Sequence, residues 1–302
     1  MKVLVTGGAG FIGSHVVKLL LDEGAEVRVF DSLISGKRER VPETAEFITG
    51  DIRDKSALAS ACEGVTHVVH LAALVSVAES MADPISFHDV NVTGFENVLE
   101  AMRAANVSRI VYASSAAVYG DEPELPKRES SPLAPQSPYA LSKAVNEMQA
   151  SLYERVFGLA PVGLRFFNVY GLGQRGNHPY ASVIPRWIEA LRARRDIALN
   201  GDGSQTRDFV HVVDVSRAIY LALSTNTNGI FNIASGKETS LTELLRLIAD
   251  IHPQSFGVVR NPPRAGDIAR SVADISAAAR AFNFSPTVAI KDGLQELLAH
   301  DH

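Results

Sequence analysis

The chain has 302 residues, 46% of them hydrophobic, enough for one large or two modest domains with an ordinary buried core. Its net charge of −5 is spread along the sequence without a basic run, which argues against nucleic acid or a membrane surface as partner, although single arginines can still meet one small anionic ligand. A lone cysteine, Cys62, excludes an internal disulfide and a metal site of clustered cysteines and fits a reducing cytoplasm; the start on strand-like KVLVTG leaves no room for a signal peptide, and no apolar run reaches the ~18 residues that span a bilayer.

Through the first half, short β-branched runs alternate with amphipathic segments: KVLVT, HVVKLLLDEG, AEVRVFD, AEFITGD, KSALASACEG, THVVHLAA, FENVLEAMRAANV and RIVYASS. Strands alternating with helices predict parallel βαβ units and an open, doubly wound α/β sheet, whose ligands bind beyond the carboxyl ends of the strands. After APVGLRFFNVYG, near residue 166, loops rich in Gly, Asn, Asp and Pro surround shorter helices such as SVIPRWIEALRARR and SLTELLRLIAD. This change predicts a main domain over 1–165 and a smaller lobe over 166–302, with strand-like GIFNIAS (229–235) placed to return to the main sheet.

KVLVT runs straight into GGAGFIG and then a helix, so Gly7, Gly10 and Gly13, with Phe11 and Ile12 between them, fall at a strand-to-helix turn. Small residues there let the backbone approach a pyrophosphate, and the helix start offers it unpaired N–H groups. The second strand ends at Asp31, whose carboxylate can accept both ribose hydroxyls of an adenosine and repel a 2′-phosphate. Ser32 follows rather than arginine, which favours NAD over NADP, although Lys37 and Arg38 lie close by; Gly36 sits in the same loop. Two more strand ends fit a cofactor lying across the sheet: Asp51 with Ile52, suited to an adenine edge, and Leu71, Ala72 and Ala73, small enough for ribose and pyrophosphate.

Tyr139 and Lys143 in SPYALSKAVNE stand four apart where Pro138 can begin a helix, so they share a face. A phenol is a poor base at neutral pH, but an ammonium about 4 Å away at an effective dielectric near 20 favours the phenolate by roughly 4 kcal/mol. Such a tyrosine could accept a hydroxyl proton. Ser115, ending RIVYASS, lies on the same carboxyl edge, where its hydroxyl can bond the alcohol being oxidised. Two bare alanines follow it, Ala116 and Ala117.

GGAGFIG, Asp31, the Leu71–Ala73 turn, Asn91, the Ser115/Tyr139/Lys143 set, RFFNVYG and GDGSQTRDFVHVVDV cover most of the chain. In this combination the chain resembles an extended short-chain dehydrogenase/reductase of the sugar-nucleotide epimerase and dehydratase type. The resemblance implies a Rossmann-like fold, NAD as cofactor and a UDP-hexose as substrate. It implies Tyr139 as base, Lys143 lowering its pKa and binding the nicotinamide ribose, Ser115 at the sugar hydroxyl, and Asn91 and Phe166 among the cofactor residues. Dehydratases and decarboxylases of this family carry acidic residues just after the serine. Ala116 and Ala117 cannot move a proton, which favours 4-epimerisation through a 4-keto sugar over dehydration or decarboxylation; a 4-ketoreductase on the same triad stays open and would show a net change of NAD(P)H, whereas a non-catalytic dinucleotide sensor would have no need of the triad.

For the substrate, the resemblance carries over Asn168, the helix start at Ser182 and Val183, Arg207, and Arg264 with Asp267; two arginines suit a diphosphate. Ser271, where some members place a bulky tyrosine, implies tolerance of N-acetylated hexoses. Val75 stands where some 4-epimerases have a lysine near the cofactor, and Ser76 is placed at the sugar. A 3,5-epimerase would need a cysteine near the sugar, whereas Cys62 falls in a helix far from the triad. A homodimer through helices near 90–105 and 140–157 is also implied. No metal site is expected: His67 and His70 lie three apart on a strand and point to opposite faces.

Overall fold

In the computed structural model, which describes residues 1–176, 181–263 and 268–300, the first half alternates as its apolar pattern requires. β1 (Lys2–Thr6), α1 (Phe11–Asp22), β2 (Glu26–Asp31), β3 (Glu46–Thr49), α2 (Lys55–Cys62) and β4 (His67–His70) lead to three helices, α3 (Val77–Ala82), α4 (Pro84–His88) and α5 (Gly94–Ala104). β5 (Arg109–Ser115), α6 (Pro138–Phe157) and β6 (Ala160–Phe166) follow. The later part contains β7 (Asn168–Tyr170), α7 (Val183–Arg192), β8 (Ile197–Asn200), β9 (Thr206–Arg207), β10 (Phe209–His211), α8 (Val212–Leu223) and β11 (Gly229–Ile233). The chain closes with β12 (Thr239–Ser240), α9 (Leu241–Ile251), β13 (Val258–Asn261), α10 (Ser276–Phe282) and α11 (Ile290–Ala299).

Seven strands form one parallel sheet in the order β11-β6-β5-β4-β1-β2-β3. Successive side chains leave a strand on opposite faces, so the sheet feeds two cores. Val3 and Val5 pack with Val17 of α1, Ile219 of α8 and Phe282 of α10. Leu4, between them, packs on the other face with Leu58 of α2, Phe95 and Leu99 of α5 and Tyr153 of α6. Cys62 is buried in this second core, and desolvation pushes its thiol up to about 11, which leaves it an inert apolar side chain. A third core joins α7, α9 and α11 around Trp187, Leu199 and Leu294. Among the described residues no helix is long and apolar enough to cross a membrane.

β11 lies at the sheet edge beside β6, with Gly229 opposite Val162 and Ile233 opposite Phe166. Buried Arg109, at the start of β5, ties the approach to this strand: its guanidinium donates to the carbonyls of Ala222, at the end of α8, and Thr227, and to Asn228 Oδ1. A cation there complements the carbonyl end of the helix. Phe231 of β11 meets Phe282 edge to face, ring centroids 5.1 Å apart. Truncating Phe231 to alanine is expected to remove about 3 kcal/mol in a single cooperative urea transition. A loss under about 1 kcal/mol, or a second transition, would show that β11 is not integral to the sheet.

Candidate active site

The carboxyl ends of the central strands open into a cleft of 490 Å3. From the first βα unit it is lined by Gly7, Gly10, Phe11, Ile12 and Gly13, and from the next strand ends by Asp31, Ser32, Asp51, Ile52, Leu71, Ala72 and Ala73. Ser115, Tyr139, Lys143, Phe166 and Asn168 complete the expected set on its wall. Asn168 and Ser182 are shared with a smaller cavity of 170 Å3, which is lined by Val183 and Arg207 together with Arg186, Trp187, Asn200 and Gln205.

The glycine turn is built for close approach. Gly7 has φ +73°, and a Cβ there would lie 2.6 Å from Ala72 N; a Cβ at Gly13 would lie 2.1 Å from Gly7 O. Gly10 starts α1 without a side-chain cap, and the first turn holds no acidic residue, so its N–H groups face the cleft free for an anion. Buried Asp31 accepts Ala9 N–H (2.9 Å) and Leu33 N–H (2.8 Å), which fixes its carboxylate beside the turn with lone pairs left for ribose hydroxyls. These donors and acceptors fit a dinucleotide such as NAD. Asp51 is held by Arg53 through bonds of 3.0 and 2.7 Å, which with desolvation opposing keep its carboxyl below the usual range.

Ser137 caps α6 by accepting the Ala140 N–H, and Pro138 occupies the first turn, so the helix begins where the sequence predicts. Lys143 is buried and donates Nζ to Ala113 O at 3.0 Å; burial pulls its ammonium down to about 8. Ser115 Oγ accepts the Ala117 N–H at 3.2 Å and hydrogen-bonds the Tyr139 phenol. The phenol is nevertheless raised above its ordinary value, because desolvation outweighs the Ser115 bond. This corrects the expectation that Lys143 lowers it: the ammonium is engaged on a strand carbonyl and does not figure among the influences on Tyr139.

Other expectations shift. Asn91 is buried and does not line the cleft; its amide holds both the N–H and the carbonyl of Leu74 (2.8 and 2.9 Å) and donates to Ser142 Oγ (3.1 Å). It therefore shapes the cofactor wall from behind. Gly36 packs against Ala9 and Asp31 and is not part of the cleft lining, although Ile34 and Ser35 beside it are. Ser76 caps α3 by accepting Glu79 N–H at 3.2 Å, outside the cleft lining. Ser271 is half-buried and lines neither cavity, and Arg264 and Asp267 lie outside the described residues. Buried His70 bonds Thr6 Oγ1 through Nδ1 at 2.8 Å, and desolvation lowers its imidazole to about 3. Arg40 and Arg175 also line the cleft; Arg40 ends a single 3-10 turn, Arg38–Arg40, and Arg175 lies in a loop, so tertiary packing and not a sequence periodicity brings them to it.

An edge that can hold a dinucleotide beside a serine, a tyrosine and a lysine defines the class of enzymes that move a hydride between a nucleotide cofactor and an alcohol. The NAD dependent epimerase/dehydratase family matches residues 3–234, and the chain belongs to that family. It is 36% identical over 304 residues to the UDP-glucose 4-epimerase of Lacticaseibacillus casei, covering 95% of this chain and 92% of that one. The Thermus thermophilus UDP-glucose 4-epimerase, solved in complex with NAD, superposes with a TM-score of 0.93 at 40% identity over 99% of this chain and 98% of that one. The UDP-N-acetylglucosamine 4-epimerase of Methanobrevibacter ruminantium M1, in complex with UDP-N-acetylmuramic acid, gives 0.95 at 36% identity over 98% and 96%.

Two outcomes follow from this geometry. Gly13→Ala is expected to lower bound NAD, measured after denaturing the purified protein, to under about a tenth per chain, because the atoms in its way, Gly7 O, Gly7 C and Gly8 Cα, are all backbone; full retention would contradict the close approach. Lys143 is pulled from 10.5 to about 8, so between those values the unfolded chain binds more protons and stability rises with pH. Lys143→Met should remove that part of the slope, and unfolding midpoints of the two proteins should converge as pH rises from 8 to 10.5. A constant difference would show that the lysine does not titrate there.

Proposed function

We propose that the protein is an NAD-dependent 4-epimerase of UDP-hexoses, interconverting UDP-glucose and UDP-galactose through a transient 4-keto sugar. The observation that carries this reading is the Ser115–Tyr139–Lys143 set on the cleft wall with Ala116 and Ala117 immediately after it, a site equipped for hydride and proton transfer at one carbon and for nothing further. When bound, NAD would supply the hydride acceptor and the positive charge of its oxidised nicotinamide. That charge would add to the Ser115 bond in opposing the desolvation that raises Tyr139.

Tyr139 takes the O4 proton as the hydrogen on C4 leaves with its electron pair. Ser115 donates to the same oxygen and holds it in line with the phenol. Once the ring has presented its other face, hydride returns to C4 and Tyr139 gives its proton back to O4, so the reaction closes without net oxidation. Buried Lys143 would hold the nicotinamide ribose. No carboxyl group follows Ser115 to remove a C5 proton or protonate a C6 leaving group, which is what dehydration would need.

The rest of the assignment is part of the same proposal. Residues 1–165, with β11, serve the dinucleotide, and 166–302 serve mainly the nucleotide-sugar. Asn168, Val183 and Arg207, which line the smaller cavity, meet the nucleotide end; the resemblance gives Arg264 and Asp267, which lie outside the described residues, the same role. The resemblance assigns Ser271 to the C2 side of the sugar, although it lines neither cavity; on that assignment N-acetylhexoses are substrates as well, as the name of the Methanobrevibacter relative also suggests. The protein works in the cytoplasm as a homodimer. Support for pairing is the row of exposed apolar side chains Leu141, Met148, Leu152 and Val156 along α6, beside Met81 of α3 and Ile85 of α4; exposed Glu96 and Arg103 make α5 the more polar neighbour.

Incubated with UDP-galactose, the wild type should yield UDP-glucose by NMR with no steady change at the nicotinamide absorbance; a 4-keto-6-deoxy product or accumulating NADH would contradict the assignment. Tyr139→Phe should lower kcat at least about 100-fold, the scale of a lost general base. Turnover of UDP-galactose but not UDP-GalNAc would remove the reading of Ser271. Met148→Glu with Leu152→Glu should convert a dimer into a monomer by light scattering, and an unchanged mass would place the interface elsewhere.

A further inference from the structure

Helix α6 is joined to the end of β5 at three successive turns. Tyr139, Lys143 and Glu147 stand at i, i+4 and i+8 on one face. Their partners are three consecutive strand residues: Tyr139 meets Ser115, Lys143 meets Ala113 O, and Glu147 Oε1 accepts from Ser114 Oγ at 2.5 Å. The first two belong to the chemistry already described. The third does not touch the cleft through Glu147, and nothing in the proposed reaction uses that carboxylate.

Glu147 is buried and fully engaged. Arg165 donates to it twice, Nε to Oε1 at 2.9 Å and Nη2 to Oε2 at 2.7 Å. Arg165 is itself fixed by donating to Tyr119 OH at 2.8 Å and to Glu129 O at 3.1 Å, while Tyr119 donates to Asn232 Oδ1 of β11 at 2.6 Å. In the sheet, Ser114 is paired with Arg165 and Ser115 with Phe166, so Ser114 and Arg165 project from neighbouring strands on one face, the face that α6 covers. The ion pair thus stands where β5, β6 and α6 meet, one residue from the catalytic serine and one helical turn from Lys143.

A buried ion pair is a poor device for stability, since apolar residues of similar volume often do as well or better. What it supplies is direction. A turn of about 20° about the helix axis moves a side-chain tip ~6 Å from that axis by about 2 Å, and displacements of about 1 Å at a reacting group can lower rates 100-fold. We propose that Glu147, held by Arg165, is a positioning residue: through Ser114 it sets the rotation of α6 against β5, so that the Tyr139 phenol meets Ser115. The role rests on the proposed use of Tyr139 as base. The titratable groups beside the phenol are Lys143 on its own helix and, next to Lys143, His70 from β4, which is neutral at physiological pH.

Ser114→Ala tests this in the full-length enzyme with bound NAD, because it removes the clip and leaves the Glu147–Arg165 pair and the core intact. We expect kcat for UDP-galactose to fall about 10-fold or more, while KM and NAD per chain stay within about twofold, and Ser114→Thr, which keeps the hydroxyl, to restore most of the rate. Phenolate absorbance, taken as the difference from Tyr139→Phe, should show Tyr139 titrating about one pH unit higher in Ser114→Ala, as a weakened Ser115 bond requires. Glu147→Gln should reproduce the kcat loss with the fold retained. An unchanged kcat with an unmoved phenolate titration overturns the proposal, as does a kcat loss that follows lost NAD or lost folded protein. A wild type without epimerase activity whose phenolate still shifts on Ser114→Ala would instead refute the functional reading and leave the positioning role standing.

Discussion

The docking of α6 on the carboxyl end of β5 is the contact on which the site depends. It is polar and buried, with Lys143 on Ala113 O, Ser114 on Glu147 and Ser115 on Tyr139, so it has few alternative registers. An apolar helix face can slide or rotate by fractions of a turn at little cost, whereas a row of buried hydrogen bonds loses one or more partners at every other angle. The desolvation this docking imposes is considerable: it lowers the Lys143 ammonium to about 8 and raises the Tyr139 phenol. The same dryness makes each remaining electrostatic contact in the cleft stronger.

The second constraint is the tight glycine turn between β1 and α1. Because Gly7 backs onto Ala72 and Gly13 onto Gly7 O, the turn brings the end of β1 and the start of α1 against the end of β4, and the cleft floor is backbone. Asp31, bonded to the Ala9 N–H, closes the same turn from the side of β2. A parallel sheet places all these ends on one edge, so a dinucleotide recognised at Gly7, Gly10 and Asp31 has its far end directed toward β5 and α6. The path from glycine turn to Tyr139 therefore follows from strand order.

Much of this was legible in the sequence. Strands buried on both faces need continuous apolar runs, and KVLVT, THVVH and RIVYASS are such runs; Ser137 and Pro138 mark the start of α6, and a glycine pattern between strand and helix has few other uses. What was not legible lies in side chains whose partners are distant in sequence. Nothing local distinguishes Asn91, which supports Leu74 and Ser142 from behind, from a residue that faces the cofactor. Ser76 reads equally well as a sugar contact or a helix cap, and the structure makes it a cap. The spacing of Tyr139 and Lys143 predicts a shared face, which is found, but not that the ammonium is engaged on Ala113 O. Glu147 and Arg165 read separately as ordinary charges of a helix and a strand.

In the proposed reaction one hydrogen at C4 leaves as hydride and returns to the same carbon within the cleft, with Tyr139 carrying the proton of O4. Converting UDP-galactose labelled with deuterium at C4, in ordinary water, reads this directly by NMR of the product. The expected product is UDP-glucose that keeps the deuterium at C4, with none in the solvent and none in added free NAD. Loss of the label from C4 to water, or its appearance in the external nicotinamide pool, would contradict it.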